Sequence, residues 1–282
     1  AVVAYADRIE DDARRRDFTI NALYAAPDGT VVDPLGGLAD LHARRIRFIE
    51  DAGARIREDY LRILRFFRFH AWYGDPDTGL DADALAAISE LSAGIETLSR
   101  ERVGSEMRKL LAAPDPAPAI AAMTQTGVLH HVLVGLDPKA LPVLVHFEQL
   151  HQANPDPIRR MAVLGGCDHK DSFRLSKAED RQLRTLLDHR GTQDSPAALG
   201  YRLGADAALD VVLVNAALLE TLPDPTVARD IRAGVEATFP VVAGDLIPRY
   251  EGAVLGAKLA DLEARWIASG FQLTRDELLR DA

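Results

Sequence analysis

Residues 56–74, IREDYLRILRFFRFHAWYG, set the architecture, because from here on the chain shows one amphipathic helical pattern after another. Polar residues recur at every third position and apolar residues fill most positions between them, which predicts a helix with one buried face. The apolar residues expected in the core are Leu61, Ile63, Leu64 and Phe67. The polar residues, which steps of three arrange as a slanted stripe, are Asp59, Arg62, Arg65 and Arg68.

The first pair of this stripe, Asp59 and Arg62, offers a hydrogen-bond acceptor beside a set of donors. Cytosine and adenine present an amino donor beside a ring acceptor, whereas guanine and uracil present the reverse. The pair facing a base edge would therefore accept C and A and reject G and U. Alternatively, the arginines form the solvated face of an ordinary amphipathic helix, and Asp59 is simply a favourable residue at its N-terminus.

Towards the N-terminus, residues 14–23 read RRRDFTINAL and pack three arginines beside an aspartate. Adjacent guanidinium groups repel one another, so either solvent or a polyanion compensates them. The stretch FTINALYAA alternates like a strand, PDG at 27–29 predicts a hairpin turn, and TVVDP predicts a second strand. A Gly-Gly turn, one helical turn and a third strand, RIRFI, are expected to follow.

Towards the C-terminus, amphipathic helical stretches alternate with short segments rich in Pro and Gly. The predicted fold class is therefore mainly α, with a small α+β part at the N-terminus and no second sheet after residue 75.

Charge and composition narrow the function classes. The 282-residue chain has a net charge of −10, but residues 1–74 hold 12 basic and 12 acidic side chains, so the excess acid lies elsewhere. The single cysteine, Cys167, excludes an internal disulfide, fits a reducing compartment and is expected to be a small buried thiol. No apolar run is long enough to span a bilayer and no secretory signal opens the sequence, so we expect a cytoplasmic protein without a membrane partner.

Four motifs in order make the chain resemble the class II tRNA nucleotidyltransferase/poly(A) polymerase family, and in particular its bacterial CCA-adding members. They are RRRDFTINAL, VDPLGGLADL, REDYLRILRFFRFHAWYG and LSRERVGSEMRKLL. The resemblance covers residues 10 to about 115, and beyond that only the helical character matches. It implies that residues 1–52 are the C-terminal part of a nucleotidyltransferase head, residues 53–130 a neck, and residues 131–282 a body and tail that bind tRNA.

The resemblance also implies roles for individual residues. Arg16 would contact the incoming triphosphate, and Asp17 and Asn21 would help to hold the ribose. Asp59 and Arg62 would read the base without a nucleic-acid template, while Arg65 and Arg68 would also contact the nucleotide. Arg102 and Glu106, four positions apart, would brace the reading helix. Tyr60 stands where the family usually has proline, a departure expected to alter the start of the helix more than base reading.

The implied function is addition of CCA to tRNA 3′ ends from CTP and ATP, with Mg²⁺ as the cofactor. The family's Asp-x-Asp metal pair is not recognisable here, so its ligands are expected in a preceding segment, no metal ligand is assigned in this chain, and the chain alone is expected to be inactive. The two candidates, Asp75–Asp77 and Asp81–Asp83, have the sequence of a turn and of a helix N-terminus. Alternatives are a bacterial poly(A) polymerase or a non-catalytic RNA- or nucleotide-binding fragment.

Two basic groups in the C-terminal part are candidates for tRNA contact through phosphates. One is the pair Arg159 and Arg160, and the other comprises Lys170, Arg174 and Lys177. The alternative is that both are solvated faces without a partner.

Overall fold

The computed structural model of the chain describes residues 8–280 and divides into two compact units, the first ending at Arg184 and the second beginning at Thr185. Helices build both units, which confirms the predicted mainly α class. Among residues 8–280 the one sheet is a hairpin of Tyr24–Ala25 (β1) and Val31–Val32 (β2), with Tyr24 opposite Val32. The junction at Arg184 lies inside the segment predicted as body and tail, and the bounds at residues 52 and 130 stay a prediction.

The helices of the first unit are α1 (Ile9–Arg15), α2 (Gly37–His42), α3 (Ala52–Glu58), α4 (Leu61–Tyr73), α5 (Ala82–Leu91), α6 (Arg100–Leu111), α7 (Ala117–Gln125), α8 (Val128–Val132), α9 (Leu141–Leu150), α10 (Pro157–Val163) and α11 (His169–Phe173). Helix α12 (Lys177–Asp188) begins in the first unit and ends in the second. Short 3₁₀ turns occupy Thr19–Asn21 and Ser92–Thr97.

The second unit contains α13 (Pro196–Leu203), α14 (Ala205–Leu218), α15 (Val227–Glu236), α16 (Gly252–Ala268) and α17 (Arg275–Arg280), with a 3₁₀ turn at Ala243–Asp245. Helices α13 and α15 pack backbone against backbone, because a Cβ on Gly200 would collide with the Ile231 carbonyl and one on Gly234 with the Ala197 carbonyl. Around Trp266 of α16, Tyr201 and Phe271 pack as aromatic neighbours with ring centroids 5.5 and 4.8 Å away.

The N-terminal part has less strand than the sequence predicted. The hairpin at PDG and the second strand are confirmed, since the Ala26 N–H donates to Thr30 across the turn. The FTIN residues instead form the 3₁₀ turn, because the Asn21 side chain accepts the Phe18 N–H at 3.3 Å and so satisfies the backbone locally. The prediction of a third strand at RIRFI is wrong, because this segment forms only one β-bridge, between Phe18 and Phe48.

The stretch 56–74 is not one helix, which corrects the sequence prediction. Helix α3 ends at Glu58, Asp59 is extended with φ −158° and ψ 106°, and α4 begins at Leu61. The Asp59 carboxylate accepts the Leu61 N–H at 3.1 Å, a local bond that stabilises the interruption. The stripe is therefore split, with Asp59 in the connection and the three arginines on α4.

Tyr60, which replaces the family's proline, has φ −60°, the value that a proline ring would impose. The start of α4 therefore keeps the backbone that proline would give. The phenol ring of Tyr60 instead requires a glycine at position 94, because a Cβ on Gly94 would collide with the ring.

Aromatic packing seats α4 against the N-terminal segment. Phe18 packs on Phe48 with ring centroids 5.0 Å apart and on Phe69 at 4.9 Å, and Phe48 stacks on Phe66 at 5.6 Å. The predicted core residues of this stretch are all buried, which confirms them; they are Leu61, Ile63, Leu64 and Phe67. This packing fixes the position of α4, and with it the position of the α4 arginines, relative to residues 15–17.

Cys167 is exposed rather than buried, so that prediction is wrong. It lies in the connection between α10 and α11, directly after Gly165 and Gly166, both of which have positive φ. Such a turn runs over the surface and carries the thiol with it.

Candidate functional site

An open pocket of about 270 Å³ lies in the first unit where α1 ends and α3 gives way to α4. Five arginines and two aspartates dominate its lining, so it is strongly positive and suited to an anion. Its lining residues are Arg15, Arg16, Asp17, Asp59, Leu61, Arg62, Arg65 and Arg102. We call it the arginine pocket.

Asp17 forms the buried base of the arginine pocket. Its carboxylate accepts hydrogen bonds from Arg65 and, at 2.6 Å, from Asn21. Burial alone would raise the pKa of Asp17, but the bonds from Arg65 and Asn21 outweigh it and hold the pKa below its ordinary value. The carboxylate is therefore ionised at neutral pH and keeps the Arg65 guanidinium in place.

Arg16 lies at the exposed rim. Its guanidinium donates to the Asp12 carboxylate at 3.0 Å, and Asp12 also accepts the Tyr24 hydroxyl at 2.7 Å. The hydrogen bond from Tyr24, followed by that from Arg16, lowers the pKa of Asp12. An exposed ion pair of this kind contributes little to stability, so Arg16 is free to exchange its carboxylate for another anion.

Two arginines of the α3–α4 region donate hydrogen bonds to the backbone carbonyl groups of Arg15 and Arg16. Buried Arg55 donates to the Arg16 carbonyl, and Arg62 donates to the Arg15 carbonyl at 3.3 Å. Glu58 joins them, accepting from both Arg55 and Arg62, and the bond from Arg62 is the main cause of its lowered pKa. The N-terminal segment is thus attached through its backbone to the α3–α4 region.

The sequence prediction missed these contacts, since it named neither Arg55 nor Glu58. A signal was present for one contact, because Glu58 and Arg62 are four positions apart, the spacing at which helical side chains meet. Nothing in the local sequence identifies Arg55, since its partner at Arg16 is 39 positions away.

Helix α6 is bonded to the α3–α4 region at two points. Arg102 donates to Asp59 at 2.6 Å, and Glu106 accepts from Arg68 at 2.6 Å and from Lys109 at 3.0 Å. Arg102 and Glu106 therefore bond to different partners rather than to each other. Asp59 and Arg62 both line the pocket but are not bonded as a pair, because each carboxylate and guanidinium has its own partner, Arg102 for Asp59 and Glu58 for Arg62.

The structure brings together five of the predicted nucleotide-binding residues and leaves two outside the lining. Asn21 lies behind Asp17 and contacts the pocket only through it. Arg68 is directed to Glu106, with its guanidinium 4.6 Å from the centroid of the Phe69 ring.

The acidic pairs after α4 have the structural roles that their sequence predicted. Asp81 caps α5 by accepting the Ala84 N–H at 2.9 Å, and Asp75 accepts the Asp77 N–H in a turn. Within residues 8–280 no three His, Cys, Asp or Glu side chains are grouped as metal ligands. The four aspartates of these two pairs are therefore not part of such a group.

The pair Arg159 and Arg160 is buried, so its predicted contact with tRNA is wrong. Glu148 accepts from Arg159 at 2.8 Å and from Arg160 at 2.7 Å, and Arg160 also donates to the Leu111 carbonyl at 2.6 Å. The other group stays exposed; Lys170 pairs with Asp180 at 3.3 Å and Arg174 with Glu101 at 3.0 Å. We call this second group, Lys170, Arg174 and Lys177, the exposed basic cluster.

Comparisons with known proteins agree with these features. Residues 1–47 match the family described as Poly A polymerase head domain, and residues 79–139 match the one described as Probable RNA and SrmB- binding site of polymerase A. CCA tRNA nucleotidyltransferase 1, mitochondrial, of Mus musculus is 28% identical over 99% of this chain and 68% of its own length. The CCA-adding enzyme of Geobacillus thermodenitrificans is 39% identical over 45% of this chain and 30% of its own length.

Solved structures show the same architecture. The crystal structure of the Bacillus stearothermophilus CCA-adding enzyme in complex with CTP has a TM-score of 0.71 and 26% identity, covering 94% of this chain and 71% of that one. The Thermotoga maritima CCA-adding enzyme complexed with tRNA shares the fold, with a TM-score of 0.67 at 18% identity over 97% of this chain and 73% of that one. In the part of the chain that the structure describes, no helix is both long and apolar enough to cross a membrane.

Proposed function

Because this chain belongs to the class II tRNA nucleotidyltransferase/poly(A) polymerase family, we propose that it acts in adding C and A to tRNA 3′ ends from CTP and ATP. One observation carries the proposal: Asp59, Arg62 and Arg16 line a single pocket. An acceptor and a donor for a base edge thus share one space with a guanidinium for phosphate. Protein side chains alone can then select the nucleotide.

Base selection depends on the hydrogen-bond acceptor sites of Asp59 and the donor sites of Arg62 that protein groups leave unused. A carboxylate has about four acceptor sites, and among residues 8–280 only Arg102 and the Leu61 N–H donate to Asp59. Arg62 has five N–H groups, of which those on Nη1 bind Arg55 and Glu58 and one on Nη2 binds Arg15. Asp59 can accept the exocyclic amino group of C or A, while Nε or Nη2 of Arg62 donates to the ring nitrogen. G or U, whose edges present the reverse pattern, would leave these remaining acceptor and donor sites unpaired.

The triphosphate and ribose are assigned to the other side of the pocket. Arg16 supplies a guanidinium that can exchange Asp12 for phosphate, and Arg65 adds charge above Asp17. We place the ribose hydroxyls against Asp17, which Asn21 orients from behind. Arg68, held by Glu106 outside the lining, supports α4 and positions the site without contacting the nucleotide.

We assign to the described residues the binding and orientation of the nucleotide, and we propose Mg²⁺ as the cofactor of the transfer. For tRNA we propose contact at the exposed basic cluster, whose side chains reach solvent. We retain the division into a head segment at residues 1–52, a neck at 53–130, and a body and tail at 131–282.

The test is equilibrium binding of CTP, ATP, GTP and UTP to the chain and to Asp59→Ala. We expect the unchanged chain to prefer CTP and ATP, and Asp59→Ala to lose about 1–3 kcal/mol for both, the usual value of one base contact. Arg16→Ala should weaken all four nucleotides alike, because phosphate carries no base identity. Asp83→Ala, at an exposed aspartate outside the pocket lining, is the matched control and should change nothing.

Two outcomes would contradict the proposal. An unchanged ratio of CTP and ATP to GTP and UTP affinities in Asp59→Ala would mean that the α3–α4 connection is scaffold. Binding of ATP without CTP would favour a poly(A) polymerase instead.

A further inference from the structure

A second pocket of the first unit, about 240 Å³ in volume, lies at the opposite end of α4 from the arginine pocket. Arg62 and Trp72, which line the two pockets, are ten positions apart on α4, or about 15 Å along its axis. We call it the His70 pocket, and the residues that matter for its chemistry are Arg44, His70, Trp72, Gly74, Asp115 and Pro118.

His70 is buried yet has no hydrogen-bond partner for its ring among residues 8–280, although it is only 6% exposed and faces this pocket. Burial lowers the pKa of His70 against a smaller opposing effect of Asp75, so the ring is neutral at pH 7. A neutral imidazole offers one donor and one acceptor. The ring nitrogens of His70 are not among the fully buried atoms without a partner, so they reach the pocket and can bond to whatever occupies it.

Gly74 lies directly against the imidazole ring of His70. Gly74 has φ −67° and ψ 158°, a conformation open to any residue, so its dihedral angles do not require glycine. A Cβ at this position would collide with Nδ1 of His70. A side chain at this position would also meet the His70 carbonyl oxygen, so any larger residue at position 74 would displace the imidazole from its place beside the pocket.

Trp72 and Arg44 complete a pattern suited to a flat ring carrying a phosphate. The Trp72 indole N–H donates to the Lys109 carbonyl at 2.8 Å, which fixes the ring while leaving the side chain 40% exposed. Arg44 has a strained φ of 50°, and its carbonyl accepts the Asp75 N–H at 2.9 Å. Its Nε donates to the Tyr73 carbonyl at 3.4 Å, and its other guanidinium N–H groups have no partner in the described part of the chain. Strain of this kind persists where surrounding contacts enforce it, often at binding sites.

We infer that the His70 pocket binds one base of a single-stranded RNA. The base stacks on Trp72, its edge bonds to His70 and the Asp115 carboxylate, and the adjoining phosphate meets Arg44. The volume suits one ring rather than a whole cofactor, since pockets that enclose drug-sized ligands measure roughly 300–1,000 Å³. The inference rests on the proposed function only in taking RNA as the strand that the chain meets.

The test uses the emission of Trp72 while a four-nucleotide oligoadenylate is titrated. The chain has two tryptophans, so subtracting the signal of Trp72→Phe removes the contribution of Trp266. We expect saturable quenching of Trp72, and at least about fivefold weaker binding in Gly74→Ala, the lower end of one base-stacking contact. Gly256→Ala is the matched control, because nothing lies near the position of its Cβ. His70→Leu replaces Gly74→Ala if the latter does not fold by circular dichroism.

Absence of quenching, or equal quenching in Gly74→Ala or His70→Leu, would overturn the inference. Quenching by a proline-rich peptide but not by the oligonucleotide would overturn it as well. Selective CTP and ATP binding is measured on the same samples, so quenching that persists without nucleotide selectivity would refute the proposed function and retain the RNA site.

Discussion

Replacing Asp17 with asparagine should destabilise the first unit by about 2–3 kcal/mol. Removing one partner of a buried ion pair costs about 3–5 kcal/mol, because the remaining charge loses its compensation where water is scarce. Arg65 is 30% exposed, so water can solvate it in part, and the new amide can still accept from Asn21. Both effects reduce the cost to about 2–3 kcal/mol.

The assay is urea unfolding followed by tryptophan emission. Trp72 reports the first unit and Trp266 the second, so the transition that disappears in Trp72→Phe belongs to the first unit. Asp11→Asn is the matched control, since Asp11 is half exposed and lies 4.0 Å from Arg14 in a surface ion pair. It should leave the midpoint unchanged.

The pH dependence gives an independent check. Burial would raise the pKa of Asp17, but Arg65 and Asn21 lower it below the ordinary 3.8, so the folded chain binds this proton less readily than the unfolded chain. The stabilisation is therefore complete above the ordinary pKa and is lost as the pH falls through the lowered one. The gap between the unchanged chain and Asp17→Asn should shrink on acidification below about pH 4. A gap under about 0.5 kcal/mol at pH 7, within the range of ordinary surface substitutions, or one independent of pH, would refute the reasoning.

Three further outcomes are expected. Gly94→Ala should lower the melting temperature because its Cβ meets the Tyr60 ring, and adding Tyr60→Pro should restore it, since the φ of −60° suits proline; equal losses in the single and double variants would contradict this. Glu148→Gln should cost about 3–5 kcal/mol in urea unfolding, because two buried arginines lose their shared carboxylate, and a loss below about 1 kcal/mol would show that neutral bonds suffice. Charge reversal of the exposed basic cluster should weaken tRNA binding at low salt and flatten its salt dependence, and an unchanged affinity would leave the cluster as a solvated face.

The sequence was sufficient for the fold class and for the residues that surround the arginine pocket, but not for their partners. Helical periodicity identified the buried face of α4 because that pattern is local. The bond between Asp59 and Arg102 spans 43 positions, so no local pattern predicts it. The interruption at Asp59 was missed because one side chain satisfying one backbone N–H is enough to end a helix.

For Arg159 and Arg160 the local sequence suggested a contact that the fold does not permit. Their charge suggested a surface that grips RNA, and only the fold shows that Glu148 lies between them. Two adjacent arginines have the same appearance in a sequence whether solvent or a buried carboxylate compensates them.

The buried bonds of Arg160 also fix the register of α6. Its guanidinium reaches the carbonyls of Leu111, Ala113 and Pro114, the last turn of α6 and the residues that follow it. These bonds are directional, and a slip of the helix by one residue would rotate its side chains by about 100°. Arg102, about 13 Å further along the same helix, would then turn away from Asp59. The geometry of the arginine pocket is therefore sensitive to core substitutions that touch no residue of its lining.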